Sequence, residues 1–149
     1  MEAVLNNLPL YCTLVGAFGV VFAIILAGVV KKAPAGDEKM QEIAAAIQEG
    51  AIAYLNRQLK SMGIAGIIIF IIIFATLGAK TAIGFLIGAV ASFMAGYIGM
   101  RVSVLANVRT AEAAKLGLAA GLSLAFMGGS VTGMIVAGLA LTAIAGFYT

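Results

Sequence analysis

The chain of 149 residues is 63% hydrophobic and only 10% charged, a composition that excludes an ordinary soluble globular domain. It has no histidine, no tryptophan and one cysteine, Cys12, within an apolar run, which excludes histidine-ligated zinc, Cys-His nucleophiles and disulfide frameworks inside the chain. The net charge of +3 comes from basic residues that flank apolar segments, a pattern typical of membrane topology and not of nucleic-acid binding.

The first predicted element is a membrane span over residues 8–30. At about 1.5 Å per residue it is long enough to cross about 30 Å of hydrocarbon. Pro9 lies in its first turn, where a missing N–H costs little, and Lys31 and Lys32 end it. The run is longer than the apolar core of a signal peptide and no basic region precedes it, so we expect it to be retained.

Residues 33–37 read as a turn in which Asp37 is the expected N-cap of a new helix. From 38 to 60 apolar residues recur at three- and four-residue steps, and polar residues fall on another side, which predicts an amphipathic helix. The apolar positions are Met40, Ile43, Ile47, Ala51 and Tyr54. Such a helix can lie on the membrane surface or pack on a neighbouring subunit or domain.

Two further spans are predicted over residues 61–79 and 81–100. The second span is apolar around its whole circumference at residues 67–74 and is expected to face lipid. The connection to the third is so short that the two must form a tight antiparallel hairpin. The third span has a ridge of small residues at four-residue steps, which predicts close approach of another helix. This ridge consists of Gly84, Gly88, Ser92 and Gly96.

A polar hinge over residues 101–115 precedes the last apolar stretch, residues 116–149. That stretch is too long for one untilted crossing and too short for two with a turn. A second ridge at four-residue steps favours one long, tilted helix over a hairpin, with a kink or local unwinding at 128–129 as an open alternative. The ridge consists of Gly117, Gly121, Ala125, Gly129, Gly133 and Ala137.

The basic residues also predict orientation. Eight of the nine lie in the two loop regions at 31–60 and 101–115, and only Lys80 lies in the connection between the second and third spans. The positive-inside rule therefore places both charged loops in the cytoplasm of a multi-pass cell-membrane protein and both chain ends outside.

The six acids are Glu2, Asp37, Glu38, Glu42, Glu49 and Glu112. None lies in a predicted span, although an ion carrier needs an ionisable group at membrane depth, where it costs at least ~2.5 kcal/mol. Glu42 and Glu49 share a helix face, which is more typical of a solvated face than of a metal site. Arg109 and Glu112 could pair with each other or hold a partner loop. We therefore predict no catalytic, cofactor-binding or metal-binding residue in this chain.

Glycines at residues 128–133, GGSVTG, lack the spacing of a dinucleotide fingerprint and the lysine of a P-loop, so they are read as helix packing. The same segment, with Ala125 and Phe126, resembles the fourth helix of the membrane-bound, ion-translocating inorganic pyrophosphatases. Residues 39–58, KMQEIAAAIQEGAIAYLNRQ, resemble the helix that follows the first span of that family. Residues 84–89, 96–100 and 107–114, the last reading NVRTAEAA, resemble its third helix and following cytoplasmic loop.

The resemblance implies an all-α polytopic membrane protein that corresponds to the N-terminal four helices of a sixteen-helix subunit. It implies hydrolysis of magnesium pyrophosphate, coupled by a homodimer to export of protons or sodium, with K+ as a candidate further cofactor. The family's catalytic, metal and ion-gate motifs belong to later helices, so no site residue is carried over. The sequence departs from the family at Met127, where a basic residue is common, and in the apolar segment 118–121.

Two other interpretations remain open at the level of sequence. A non-catalytic four-helix assembly partner of a larger pump would have the same spans and ridges. A rotary-ATPase proteolipid is also small and glycine-rich, but it needs a carboxylate in mid-membrane that this chain lacks. In each case the 149 residues alone are expected to be inactive, and their exposed glycine ridges predict aggregation when they are produced in isolation. The resemblance implies that the determinants of proton or sodium specificity and of potassium dependence belong to later helices.

Overall fold

The computed structural model describes residues 7–148, which form four helices: α1 (Leu8–Lys32), α2 (Glu38–Leu77), α3 (Ala79–Ala114) and α4 (Leu118–Tyr148). Each is long and apolar enough to cross a membrane. The predicted all-α fold with four spans is therefore confirmed. The expectations about Glu2 and about the two chain ends concern residues outside the described range, namely Met1, Glu2 and Thr149.

The amphipathic segment and the second span form one helix. α2 runs for 40 residues without a break, or about 60 Å, so the boundary expected at residue 61 does not separate two helices. Gly63 and Gly66 are compatible with a helix interior, and no proline interrupts the segment. A helix lying flat on the membrane would require a sharp bend at this boundary. The segment 38–60 instead continues the axis of the span.

The polar hinge is also mostly helical. Residues 101–114 extend α3, and the turn shrinks to Lys115, Leu116 and Gly117. Their N–H groups donate to the carbonyls of Glu112, Ala113 and Ala114, which tightens the helix end. Gly117 then adopts a φ of +127°, which favours glycine and ends the segment. The sequence NVRTAEAA is thus the last two turns of a long helix.

The short connection between α2 and α3 is the expected tight antiparallel hairpin. Only Gly78 separates the two helices, and its φ of +84° allows the chain to reverse. Since α2 and α3 are 40 and 36 residues long, both continue well beyond the apolar segments of the hairpin. They pack on each other as an antiparallel pair.

α4 is the centre of the bundle, because it packs along α1 on one side and along α3 on the other, whereas α1 and α3 make few contacts. The core cluster is small and contains side chains of three helices. Its buried members are Ala23, Ala95, Val131 and Ile135. The single long fourth helix is confirmed over the described residues, and it stays helical through residues 128–129.

The packing face of α4 follows a different repeat from the predicted ridge. Its buried positions follow one another at steps of three and four residues and finally of seven: Gly121, Leu124, Gly128, Val131, Ile135, Gly138 and Ala145. Most of the predicted four-residue ridge is exposed, and a Cβ on Gly129 or Gly133 would meet nothing within 4 Å. A four-residue step drifts by about 40° round a helix, whereas a seven-residue repeat drifts by only about 20°. The heptad therefore stays in contact over a longer stretch.

Close backbone approach replaces bulky side chains where the helices cross. A Cβ on Gly138 would lie 2.7 Å from the carbonyl oxygen of Gly16, so α1 and α4 can cross only because both positions are glycine. A Cβ on Gly128 would lie 2.8 Å from the Cβ of Ala106, and one on Gly99 2.7 Å from Thr132 Cγ2. On the predicted α3 ridge, a Cβ on Gly84 would lie 3.1 Å from Phe147 Cζ, whereas a Cβ on Gly88 or Gly96 would meet nothing within 4 Å.

Candidate functional site

The main polar cluster lies where the loop between α1 and α2 crosses the C-terminal end of α3. Four charged residues form it, and we call this cluster the clasp: Asp37, Arg109, Glu112 and Lys115. Asp37 belongs to the loop, whereas the other three belong to α3 and the turn after it. Their contacts join parts of the chain that are 78 residues apart.

Asp37 begins α2 and also contacts α3. Its carboxylate accepts a hydrogen bond from the backbone N–H of Met40 at 2.9 Å, the N-cap geometry predicted from the sequence. Its other oxygen lies 3.5 Å from Lys115 Nζ. Gly36, with a φ of +83°, comes directly before it, and a Cβ there would lie 2.9 Å from Glu112 Oε2. The loop therefore approaches α3 closely because residue 36 is glycine.

Arg109 connects α3 to the end of α1. One guanidinium nitrogen donates to the carbonyl of Leu105 at 2.8 Å, and the other donates to the carbonyl of Lys31 at 3.2 Å. The last carbonyls of a helix have no partner within that helix, so Arg109 satisfies one of these acceptors of α1. The buried Arg109 Nε has no hydrogen-bond partner within residues 7–148. Arg109 thus fixes the end of α1 against α3.

Lys115 is shared by two carboxylates. Its ammonium lies 2.6 Å from Glu112 Oε2, an oxygen without solvent contact, and 3.5 Å from Asp37 Oδ2. It also lies at the negative end of the α3 dipole, where a cation is favourable. The half-exposed positions of Lys115 and Asp37 make each ion pair weak on its own. Several such contacts acting together fix the positions of the loop and of α3 relative to each other.

The contacts within the clasp shift the pKa values of Asp37 and Lys115. The pKa of Asp37 is lowered, first by the hydrogen bond from the Met40 backbone and then by the charge of Lys115. The pKa of Lys115 is raised, chiefly by its hydrogen bond to Glu112, with a smaller contribution from Asp37. Both shifts favour the charged forms, so Asp37 and Lys115 are ionised at neutral pH.

The two carboxylates of the clasp lie close to a cation of the same chain. Lys115 occupies the space between Asp37 and Glu112, so these carboxylates face an ammonium group in place of a metal ion. Within residues 7–148 no group of three or more potential metal ligands is found. Glu42 and Glu49 are exposed on α2. The clasp contacts therefore join the loop between α1 and α2 and the end of α1 to the C-terminal end of α3.

The sequence interpretation left two roles open for Arg109 and Glu112. The structure does not pair them with each other. Glu112 pairs with Lys115, and Arg109 holds the end of α1 through a backbone carbonyl. The contacts to Lys31 and Asp37 were missed, because an acceptor 78 residues away leaves no local signal in a sequence, whether it is the carbonyl of Lys31 or the carboxylate of Asp37. The three-residue spacing of Glu112 and Lys115 was the one signal that could have identified their pair.

The described acids are confined to one end of the bundle. Four lie between residues 37 and 49 and the fifth is Glu112. The apolar parts of α1, α2, α3 and α4 contain no carboxylate between residues 7 and 148. The described carboxylates therefore lie at the same end of the bundle as the clasp.

Comparison with protein families identifies a match over most of the chain. The family model described as inorganic H+ pyrophosphatase matches residues 17–149. This interval includes most of α1, the other three helices and all residues of the clasp.

Curated relatives show the same similarity. The chain is 45% identical over 150 residues to a K(+)-insensitive pyrophosphate-energized proton pump of Methanosarcina mazei, covering 99% of this chain and 22% of that protein. It is 42% identical over 130 residues to a putative K(+)-stimulated pyrophosphate-energized sodium pump of Clostridium tetani, covering 87% of this chain and 19% of that protein. It is 41% identical to the K(+)-insensitive proton pump 2 of Moorella thermoacetica, covering 89% and 20%. The chain therefore spans about a fifth of the length of these relatives.

Proposed function

The chain belongs to the inorganic H+ pyrophosphatase family, and from this membership we propose that it forms the N-terminal, peripheral part of a membrane pump that couples pyrophosphate hydrolysis to ion export. Two findings carry the proposal: the family model matches residues 17–149, and the chain is 45% identical over 150 residues to a named pyrophosphate-energized proton pump. The role of the four helices is to scaffold and orient helices that contain the reacting groups.

The distribution of charge supports a scaffold role. Coupled hydrolysis needs carboxylates to hold the metal-pyrophosphate complex, and ion transport needs an ionisable group at membrane depth. The described acids lie at one end of the bundle, and the carboxylates of Asp37 and Glu112 share the ammonium of Lys115. We therefore assign hydrolysis and ion translocation to segments of the pump outside these residues.

Magnesium belongs to the proposed reaction as part of the substrate complex. Mg2+ prefers octahedral oxygen coordination and is usually held by one or two carboxylates plus phosphate oxygens. The clasp does not fit this requirement, because an ammonium group already lies 2.6 Å from Glu112. We propose that magnesium pyrophosphate binds elsewhere in the pump.

The transported ion is a separate question. Relatives named as proton pumps and as sodium pumps match the chain at 45% and 42% identity, and their names differ also in their response to K+. The shared segment therefore serves pumps of either kind. This agrees with the proposal that ion selectivity and the response to K+ depend on other parts of the subunit.

The proposed orientation places the clasp in the cytoplasm and the Gly78 turn outside. The four apolar helices support a multi-pass membrane protein, and the clustering of basic residues at the clasp end supports this orientation by the positive-inside rule. The N-terminus is then external, and the long ends of α2 and α3 extend into the cytoplasm.

The proposed partners are the remaining helices of the pump and a second copy of the subunit. Small residues of α4 at Gly129 and Gly133 have no neighbour within 4 Å of an added Cβ, although such positions commonly allow close helix approach in membranes. α2 also exposes most of its surface. These surfaces leave room for further helices around the bundle.

Two preparations test this proposal. The native polypeptide that carries these residues is compared, in proteoliposomes, with residues 1–149 alone. We expect phosphate release from magnesium pyrophosphate and ion uptake only with the native polypeptide. Hydrolysis by residues 1–149 alone would contradict the scaffold role, and a native polypeptide of about this length without activity would favour a non-catalytic assembly partner.

A further inference from the structure

An apolar groove of about 360 Å³ lies between the spanning parts of α2 and α3. The two helices separate here, because a Cβ on Gly63 or Gly66 would meet nothing within 4 Å. The α2–α3 groove is lined only by apolar side chains and glycine, including Gly63, Gly66, Phe70, Leu86, Ala89 and Phe93. Leu86 is 48% exposed, so the groove opens to the surroundings of the bundle.

Basic and aromatic residues lie at one end of this groove. Lys60 and Tyr97 are 18 and 19 residues from Gly78 in opposite directions along the chain, and at about 1.5 Å per residue both lie about 27–29 Å from the turn. This distance matches a hydrocarbon thickness of about 30 Å. Both residues are therefore at the depth of lipid headgroups, directly beyond the groove.

Arg101 extends the same stripe of α3. Phe93, Tyr97 and Arg101 follow at four-residue steps, so the apolar lining leads to a phenol and then to a guanidinium group. The guanidinium carbon of Arg101 lies 5.0 Å from the centre of the Tyr97 ring, which orients the cation. Within residues 7–148 neither Arg101 nor Lys60 forms an ion pair, since the ion pairs involve Lys115. Their positive charge remains available to an anion.

We propose that the α2–α3 groove binds one acyl chain of an anionic phospholipid, whose phosphate is bound by Arg101 with a contribution from Lys60. An acyl chain has the shape and polarity of the groove, and charge complementarity selects an anionic headgroup. Tyrosine at this depth is typical of a membrane interface. The inference does not depend on the pumping activity, because it rests only on the apolar lining of the α2–α3 groove, on the depth of Lys60 and Tyr97 in the membrane and on the positive charge beside them.

Binding is measured on the native polypeptide after delipidation, with phosphatidylglycerol and phosphatidylcholine as probes and native mass spectrometry as readout. We expect one phosphatidylglycerol to be retained per chain in preference to phosphatidylcholine. Arg101→Gln should weaken its retention about fivefold, the effect of one basic residue near an anionic headgroup. Arg57→Gln is the matched control, because Arg57 is exposed at a similar depth on α2 but lies away from the groove. Equal loss in both variants, or equal retention of both lipids, would overturn the proposal.

The occupant is identified by a second experiment that leaves the charges intact. A photoreactive benzophenone side chain in place of Phe93 is activated in native membranes. We expect the adducts to be phospholipid, and Gly66→Leu, which fills the groove without a backbone clash, should reduce them severalfold. Adducts to another polypeptide segment would show that a helix covers the groove, and this result would overturn the proposal.

Discussion

α4 and α2 show opposite solutions for an apolar helix in a membrane. α4 is rich in glycine and alanine, yet seven positions of its heptad face are buried. α2 contains the isoleucine-rich run 67–74, yet only Leu55 is buried along its 40 residues. Bulk hydrophobicity therefore does not identify the helix at the centre of this bundle.

The difference follows from the solvent. Lipid tails are as apolar as isoleucine side chains, so burying isoleucine against another helix gives little hydrophobic gain. Close approach gives van der Waals contact instead, and only small residues permit it. Gly16 and Gly138 allow α1 and α4 to cross with their backbones nearly touching. α2 instead joins the bundle mainly along α3, through the Gly78 turn and the clasp.

The largest effect on stability is expected from a substitution at the crossing of α1 and α4. Gly138→Leu introduces a Cβ that would lie only 2.7 Å from the Gly16 carbonyl oxygen, with further side-chain atoms beyond it, so we expect a loss of about 3 kcal/mol or more in the free energy of unfolding. Steric trapping or denaturation in detergent of the 149-residue chain measures it. Gly133→Leu is the control on the same helix, because its Cβ has open space. Equal losses for the two variants would contradict the crossing.

A pair of isoleucine substitutions compares the two helices directly. Ile135 on α4 is 2% exposed and Ile71 on α2 is 59% exposed. Ile135→Ala should cost about 2 kcal/mol, the low end of the usual range, because lost packing acts without a large gain from water exclusion. Ile71→Ala should change the same unfolding free energy by much less. If Ile71→Ala is the more costly change, α2 packs more tightly than described.

The attachment of α2 is tested at its N-terminal end. Gly36→Ala meets both a φ of +83° and contacts at 2.7 Å to Met40 Sδ and 2.9 Å to Glu112 Oε2, so we expect a cost of about 1–2 kcal/mol. Gly50→Ala lies within α2 at a position where a Cβ would meet nothing within 4 Å, so it should instead stabilise the chain by about 0.5–1 kcal/mol. Thermal unfolding of both variants by circular dichroism measures the contrast. A stabilising Gly36→Ala would disprove the close approach of loop and α3.

The smallest expected effect concerns the charge of the clasp. Because the folded pKa of Asp37 is lowered below its ordinary value of 3.8, its carboxylate stabilises the fold above that pH, and this contribution is lost as the pH falls through the folded pKa. Asp37→Asn keeps an N-cap and removes the charge, whereas Asp37→Ala removes both. We expect the alanine variant to be the less stable at pH 7, and the gap between wild type and Asp37→Asn to close below pH 3.8.

The raised pKa of Lys115 gives the opposite pH dependence. The stabilisation of the fold by the Lys115 ammonium is fully present below pH 10.5, the ordinary pKa of lysine, and it is lost as the pH rises through the folded pKa. Lys115→Gln should therefore lose its difference from wild type only in strongly alkaline solution. Unfolding curves measured at acid and at alkaline pH separate the contribution of Asp37 from that of Lys115. If the stability difference between wild type and Lys115→Gln vanished near neutral pH, the ion pairs of Lys115 would be contradicted.

Much of the fold follows from local patterns in the sequence. Apolar length predicted the four spans, the short connection predicted the hairpin at Gly78, and Asp37 was recognised as an N-cap. The packing face of α4 was not recovered, because glycines repeat at both four- and seven-residue steps and composition does not distinguish them. Only the partner helices select the face, through Gly16 and Ala106.

The clasp shows the limit of sequence reasoning in another way. The charged residues 109, 112 and 115 were expected to form a polar hinge between spans, but the backbone remains helical until Ala114. Charge at the end of a helix and charge in a loop look alike in a sequence when the helix extends beyond the membrane. The long-range contacts of Arg109 and Lys115 also depend on where α1 ends.

The most direct test of the difference between α4 and α2 is an oxygen-accessibility scan with spin labels. Single cysteines are introduced along residues 61–77 and 121–138 of the 149-residue chain in lipid bilayers, with Cys12→Ser as background. We predict high accessibility at nearly all α2 positions. Along α4 we predict minima at 124, 131 and 135. Gly128 and Gly138 are left unchanged in the scan, because a side chain there would clash with Ala106 or Gly16. Minima of equal depth along α2, or minima on α4 at 125, 129, 133 and 137, would contradict a bundle centred on the heptad face of α4.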